Sequence, residues 1–138
     1  MDYCRISSDK INELWELQKA YKNEIGEDAP SEQDMKALGK AIEREVIEFY
    51  GAFDGETLAG CCSVTKGFST FNYAVSGVFE DFYIAPKYRH SGIARELVSY
   101  AYTESQVCSL TVGCADCDVK MYESLGFSIP LGNMLAYE

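Results

Sequence analysis

The chain has a single histidine, His90, and no apolar run near the roughly 20 residues that a membrane-crossing helix needs. Positive charge is scarce. Twelve Lys and Arg stand against 22 Asp and Glu, a net charge of −10 at pH 7. That balance disfavours nucleic acid and anionic membranes as partners and favours cationic ones. The N-terminus Met1-Asp2-Tyr3-Cys4-Arg5 lacks a secretory signal pattern, so a cytoplasmic location is expected. With that location the six cysteines are expected as reduced thiols. Cys114 and Cys117 have C-x-x-C spacing, but no second pair or His cluster completes a zinc site, and no metal is expected. No internal repeat or low-complexity segment suggests an array or a linker.

What is present is an ordinary globular composition, 47% apolar and 25% charged over 138 residues, enough for one domain spanning 1–138 with a full core. Tyr3 to Ile6 reads as a strand. Ser8-Asp9 then opens a helix carrying Ile11, Leu14, Trp15 and Ile25 and ended by Gly26. Ser31 to Asp34 resembles a capping box before a second helix with Met35, Leu38, Ile42 and Val46 on its apolar stripe. Phe49 to Phe53, an Asp54-Gly55 turn and Thr57 to Thr65 predict a hairpin, with Lys66 to Asn72 as a loop. Tyr73 to Ala85 predicts a long strand stopped at Pro86, followed by a third helix from Ile93 and a short strand at Ser109 to Val112. A fourth helix is expected from Asp116 to Leu125, capped by Gly126, with Phe127 to Ile129 and Met134 to Tyr137 finishing the sheet. The fold class is mixed α/β.

The passage from strand to helix holds the informative residues. Arg89-His90-Ser91-Gly92-Ile93-Ala94 is a glycine-containing turn opening a helix, where unpaired backbone N–H groups hold phosphate oxygens well. Lys87, Arg89 and Arg95 concentrate positive charge there in an otherwise acidic chain. About thirty residues later comes Tyr122-Glu123-Ser124-Leu125-Gly126-Phe127.

These two motifs, in this order and at this separation, resemble the GNAT superfamily of acyl-CoA-dependent N-acyltransferases. Arg89, Gly92 and Ala94 match its pyrophosphate signature Q/R-x-x-G-x-G/A, and Tyr122 precedes a Gly-Phe pair as in its later signature. The resemblance is firmest from Val78 to Phe127. It implies a GNAT-like domain with a mainly antiparallel mixed sheet flanked by about four helices. It also implies acetyl-CoA as cosubstrate, its pantetheine along the backbone of Phe82, Tyr83 and Ile84 and its pyrophosphate on Arg89, His90, Ser91, Gly92, Ile93 and Ala94.

Strand alternation places Val78, Glu80, Phe82 and Ile84 on one face and Phe79, Asp81, Tyr83 and Ala85 on the other, so only one of Glu80 and Asp81 is expected to face a cleft. Glu-Asp-Phe followed by an apolar pair looks like the corresponding strand of diamine acetyltransferases, which favours Glu80 as the group that deprotonates the amine. Tyr122 matches the family's tyrosine acid. Ala115 and Asp118 depart from the asparagine and alanine common in the family. His90 stands where glycine is frequent.

The implied activity is transfer of an acetyl group to a primary amine by direct attack in a ternary complex. A small polyamine-like or amino-acid-like acceptor is expected first and a protein amine second. Glu24, Glu27 and Asp28 between the first helices, with Phe68, Phe71 and Tyr73 after the hairpin, would suit a cationic amine. A non-catalytic acyl-CoA-binding sensor or partner-binding module is the alternative. A homodimer through the final strands is compatible with the sequence.

Overall fold

The computed structural model describes residues 1–138. Strand β1 (Asp2–Ile6) leads through a 3-10 turn at Ser8–Lys10 into α1 (Ile11–Glu24), followed by α2 (Glu32–Glu43). Strands β2 (Ile47–Asp54), β3 (Thr57–Ser69) and β4 (Ala74–Ile84) form an antiparallel meander. Helix α3 (Ile93–Ser105), strand β5 (Leu110–Val112) and helix α4 (Val119–Ser124) follow. The sheet order is β1-β2-β3-β4-β5, antiparallel throughout except that β5 lies parallel to β4. A parallel neighbour requires a crossover, and α3 supplies it. No helix is long and apolar enough to cross a membrane.

Two clusters of buried side chains sit on opposite faces of this sheet. Leu97, Val98 and Ala101 of α3 pack on Tyr50, Val64 and Phe79, while Leu14 and Leu17 of α1 with Ile42 of α2 cover Phe49, Cys61 and Tyr83. Fully burying an aliphatic or aromatic side chain of this size contributes about 1.5–3 kcal/mol, so each helix is held mainly by its apolar face. The capping box forms as its sequence predicts: the Ser31 hydroxyl accepts from the Asp34 amide at 3.1 Å, and the Asp34 carboxylate accepts from the Ser31 amide at 2.8 Å. Trp15 is not buried like Leu14; its indole N–H instead donates to the Pro30 carbonyl at 2.8 Å, tying α1 to the start of α2.

Several boundaries differ from the sequence reading. The β2–β3 turn is the pair Gly55-Glu56, since Asp54 still pairs with Thr57. Strand β3 continues to Ser69, because Lys66 to Ser69 pair with Gly77 to Ala74. The expected fourth helix begins as a 3-10 turn at Asp116–Asp118 and is helical only over Val119–Ser124. Beyond Gly126 no strand forms. Pro130 has no amide to donate, and Gly132, at φ 97°, turns the chain out of an extended path. Ile129, Leu131, Leu135 and Tyr137 are left exposed.

Candidate active site

The sheet parts between β4 and β5. Their pairing covers only Gly77, Val78 and Phe79 against Leu110, Thr111 and Val112, so from Glu80 to Ile84 one edge of β4 has no strand beside it. On the other edge the Ala85 amide donates to Ala59 at 2.8 Å. By alternation, Tyr83 also directs its backbone toward β3, while Phe82 and Ile84 direct theirs to the open edge. Of the three residues expected to receive a pantetheine arm, two therefore present backbone groups to the gap. The Ile84 carbonyl is already engaged there by the Arg89 Nε–H at 2.8 Å.

A β-bulge interrupts β4 at this place. Across it, Cys61 pairs with Tyr83 but Ser63 pairs with Glu80, so β4 carries one residue more than β3, and Asp81 takes a left-handed φ of 53°. The bulge overturns the expected alternation. Phe79, Phe82 and Ile84 all join the α3-side cluster, with Phe79 and Phe82 ring centroids 5.5 Å apart, while Tyr83 joins the α1 side. Ser63, two residues from Cys61, also faces α1; it stands opposite Glu80 and its hydroxyl donates to Asp81 at 2.7 Å. Both Glu80 and Asp81 thus face the α1 side, contrary to the expectation that only one could. Asp81 is half-buried and Glu80 exposed, and neither is in an ion pair.

Beyond β4 a 3-10 turn at Pro86–Tyr88 leads to Arg89, His90 and Gly92. The Arg89 amide donates to Pro86, and its guanidinium forms two bonds to the Glu24 carboxylate, at 3.0 and 2.7 Å. Both groups of Arg89 are thereby engaged within the protein. His90 (φ 62°) and Gly92 (φ 86°) are left-handed, which turns the chain sharply into α3. No side chain caps that helix, and the amides of His90, Ser91 and Gly92 donate to no backbone carbonyl. With the first amides of α3, at Ile93 and Ala94, they form a set of free donors at a positive helix end. A Cβ on Gly92 would meet nothing within 4 Å, so no protein atom crowds the turn on that side. This donor set fits a diphosphate.

Tyr122 of α4 stands across the gap from β4. Its ring lies 6.3 Å from Phe82 and 6.5 Å from Phe79, and 5.9 Å from Phe127. Burial, helped by the proximity of Tyr21, Asp118 and Cys114, pushes its hydroxyl up to about 12. The phenol is therefore a firmly protonated donor at neutral pH. Tyr21 on α1 was not singled out by sequence. It stacks on Tyr83 at 5.5 Å, and its own titration is raised by burial and by the Asp81 carboxylate. Its place in the run Leu17 to Tyr21 gave only a helical spacing, indistinguishable from packing.

The acidic loop is largely consumed by internal pairs, Glu24 with Arg89 and Glu27 with Lys22 at 2.9 Å, leaving Asp28 exposed. Phe68, Phe71 and Tyr73 are exposed at the tip of the β3–β4 hairpin. All six cysteines are free thiols, with Cys61 and Cys62 buried and Cys114 and Cys117 exposed.

A mixed sheet that opens beside an uncapped helix N-terminus, with a half-buried phenol across the opening, is the architecture of an acetyltransferase domain. The chain belongs to the GNAT acetyltransferase family and is an N-acetyltransferase: the Acetyltransferase (GNAT) domain model matches residues 45–129. Among curated proteins no sequence matches. A probable acetyltransferase of known crystal structure is similar over 100% of this chain and 99% of its own, with TM-score 0.82 and 22% identity. An aminoglycoside acetyltransferase from an uncultured soil metagenomic sample, solved with sisomicin, is similar over 99% of this chain and 94% of its own, with TM-score 0.84 and 13% identity. A predicted acetyltransferase from Clostridium acetobutylicum, solved with acetyl-CoA, covers 99% of this chain and 95% of its own, with TM-score 0.75 and 16% identity. These likenesses are of fold.

Proposed function

We propose that residues 1–138 act as one domain that moves the acetyl group of acetyl-CoA to a primary amine of a small cationic molecule, polyamine-like or amino-acid-like. The observation that carries this reading is the open β4 edge, which runs directly into the free amides before α3. The diphosphate would sit on the amides of His90 to Ala94, and pantetheine would extend along Phe82 and Ile84. That path brings the thioester toward the bulge, between the two carboxylates and Tyr122.

An alkylammonium has no free lone pair, so the acceptor must lose a proton before it attacks. Glu80 takes that proton, directly or through water, because its carboxylate is exposed and in no ion pair. Asp81, oriented by Ser63, draws the incoming ammonium by charge. The amine nitrogen then forms its bond to the carbonyl carbon, the C–S bond breaks, and the second proton shed by that nitrogen neutralises the departing thiolate, which meanwhile accepts a hydrogen bond from the Tyr122 hydroxyl. A thiolate whose thiol titrates at about 8.5 is a weaker base than a phenolate whose phenol titrates at about 12, so Tyr122 stabilises the thiolate chiefly by sharing its proton.

The small acceptor is supported by two unpaired carboxylates on one face, by the protein's net charge of −10, and by fold likeness to an enzyme solved with an aminoglycoside. The test is incubation with acetyl-CoA and a panel of diamines, amino acids and N-terminal peptides while free thiol is followed. Thiol release with the small amines, in a pattern requiring both substrates bound, is the expected result. Release with peptides alone would replace the acceptor class.

A further inference from the structure

Glu24 is the last residue of α1, where a carboxylate faces the negative end of the helix dipole. A local rule broken in this way calls for a compensating partner elsewhere in the fold. The partner is Arg89, 65 residues away, which receives both Glu24 oxygens in a bidentate pair at 3.0 and 2.7 Å. Arg89 is further fixed by its Nε bond to Ile84 at 2.8 Å and by stacking over the Tyr83 ring at 5.3 Å.

Immediately after Arg89 the chain enters His90, a non-glycine residue in the left-handed region, and then Gly92. Such backbone persists only where its surroundings over-determine it. Arg89 has three independent anchors, and each of them lies outside the turn.

We propose that Glu24 is a positioning residue for the cosubstrate: by clamping Arg89 it holds the His90 to Gly92 turn in the conformation that aims its free amides at the diphosphate. This rests on the reading of that turn as the diphosphate site. The arginine of the motif then serves as a strut, with its guanidinium directed to α1, and the phosphates are met by backbone. Arginine suits the task because its planar fork matches a carboxylate in two parallel bonds while the third nitrogen still reaches Ile84. Lysine offers no such fork.

The clamp makes its contribution only to a cosubstrate that carries a diphosphate. Acetyl-pantetheine, which has the thioester but no diphosphate, is therefore the discriminating probe. In Glu24→Gln the KM for acetyl-CoA is expected to rise about five-fold, the scale of one well-formed exposed ion pair, with kcat at saturation nearly unchanged. The same substitution is expected to leave kcat/KM for acetyl-pantetheine within about two-fold of wild type. Arg89→Lys should show the same pattern, and adding Glu24→Gln to it should add little, because the two residues act as one unit.

An equal effect of Glu24→Gln on both thioesters, or an unchanged KM for acetyl-CoA, would overturn the inference. Wild-type protein supplies the separate check on the underlying reading. If CoA raises its melting temperature no more than pantetheine does, the turn is not the diphosphate site and the reading itself fails.

Discussion

The Ser63 hydroxyl donates to Asp81 at 2.7 Å, although the residue opposite Ser63 in the β3–β4 ladder is Glu80. One extra residue in β4 allows this, and the bulge puts two consecutive carboxylates into the same space. Their environments differ as the tasks proposed for them require: Asp81 is half-buried and oriented by Ser63, Glu80 exposed and in no ion pair.

Single neutral replacements should therefore have different signatures. Glu80→Gln is expected to lower kcat about 100-fold, the usual scale for loss of a general base, with little change in acceptor KM. Asp81→Asn should instead raise the acceptor KM about ten-fold and leave kcat within a few-fold, as loss of an ammonium contact does. Steady-state kinetics at saturating acetyl-CoA reads both. The reverse pattern would exchange the two roles.

Tyr122 offers a prediction in pH. Burial raises its hydroxyl to about 12, so the protonated donor is fully present below that value and is lost only as pH rises through it. The kcat profile should accordingly show no descending limb from Tyr122 up to about pH 10, well below the titration. Tyr122→Phe should reduce kcat by about 100-fold while CoA still raises the melting temperature, since the phenol lies across the gap from the amides proposed to hold the diphosphate. A variant retaining most of its kcat would remove the tyrosine from the chemistry.

Gly92 has φ 86° and open space where a Cβ would stand. Its replacement by alanine meets no atom, so the cost is conformational, about 1–2 kcal/mol for a left-handed L-residue. Gly92→Asn should cost less, because asparagine tolerates that region. Urea unfolding ranks the variants, and their CoA-induced thermal shifts should fall in the same order. A Gly92→Ala protein as stable as wild type would mean that the turn relaxes elsewhere.

The parts of this site that were legible in the sequence are those whose signal is local. Gly92 before an apolar-periodic helix, Ser31 three residues before Asp34, and Tyr122 four before Gly126 each carry their own geometry. The bulge carries none: Phe79-Glu80-Asp81-Phe82 contains no glycine, and simple alternation is the reading any such run invites. The Glu24 to Arg89 clamp is likewise invisible, because both partners look like solvated charges until the end of α1 meets the turn before α3. At the C-terminus the local signal misled. Phe127 to Ile129 and Met134 to Tyr137 carry apolar residues as two short strands would, with Pro130, Leu131 and Gly132 breaking the run between them, but no neighbouring strand accepts either segment.

The last prediction concerns stability away from the site. Glu48 is 5% exposed in its side chain and accepts from Arg5 at 2.9 Å, Lys66 at 2.8 Å and the Tyr50 hydroxyl at 2.8 Å. Lys66 also donates at 2.8 Å to the carbonyl of Ser105, the final residue of α3. One buried carboxylate thus joins β1, β2 and β3 to the negative end of the crossover helix. Removing its charge leaves Arg5 and Lys66 without the anion between them, and because their side chains are 41% and 24% exposed the cost falls below that of a fully buried pair, at about 2 kcal/mol. Glu48→Gln should lose that much in urea unfolding, while the kcat of the folded fraction stays near wild type, because no member of the network touches the open edge of β4. Replacing Glu48 and Lys66 together by Leu and Met should cost less than Glu48→Gln alone, since the half-buried cation leaves with its anion and half-exposed Arg5 can turn to solvent. If the double variant is the less stable of the two, the network contributes through more than the desolvated charge assigned to it here.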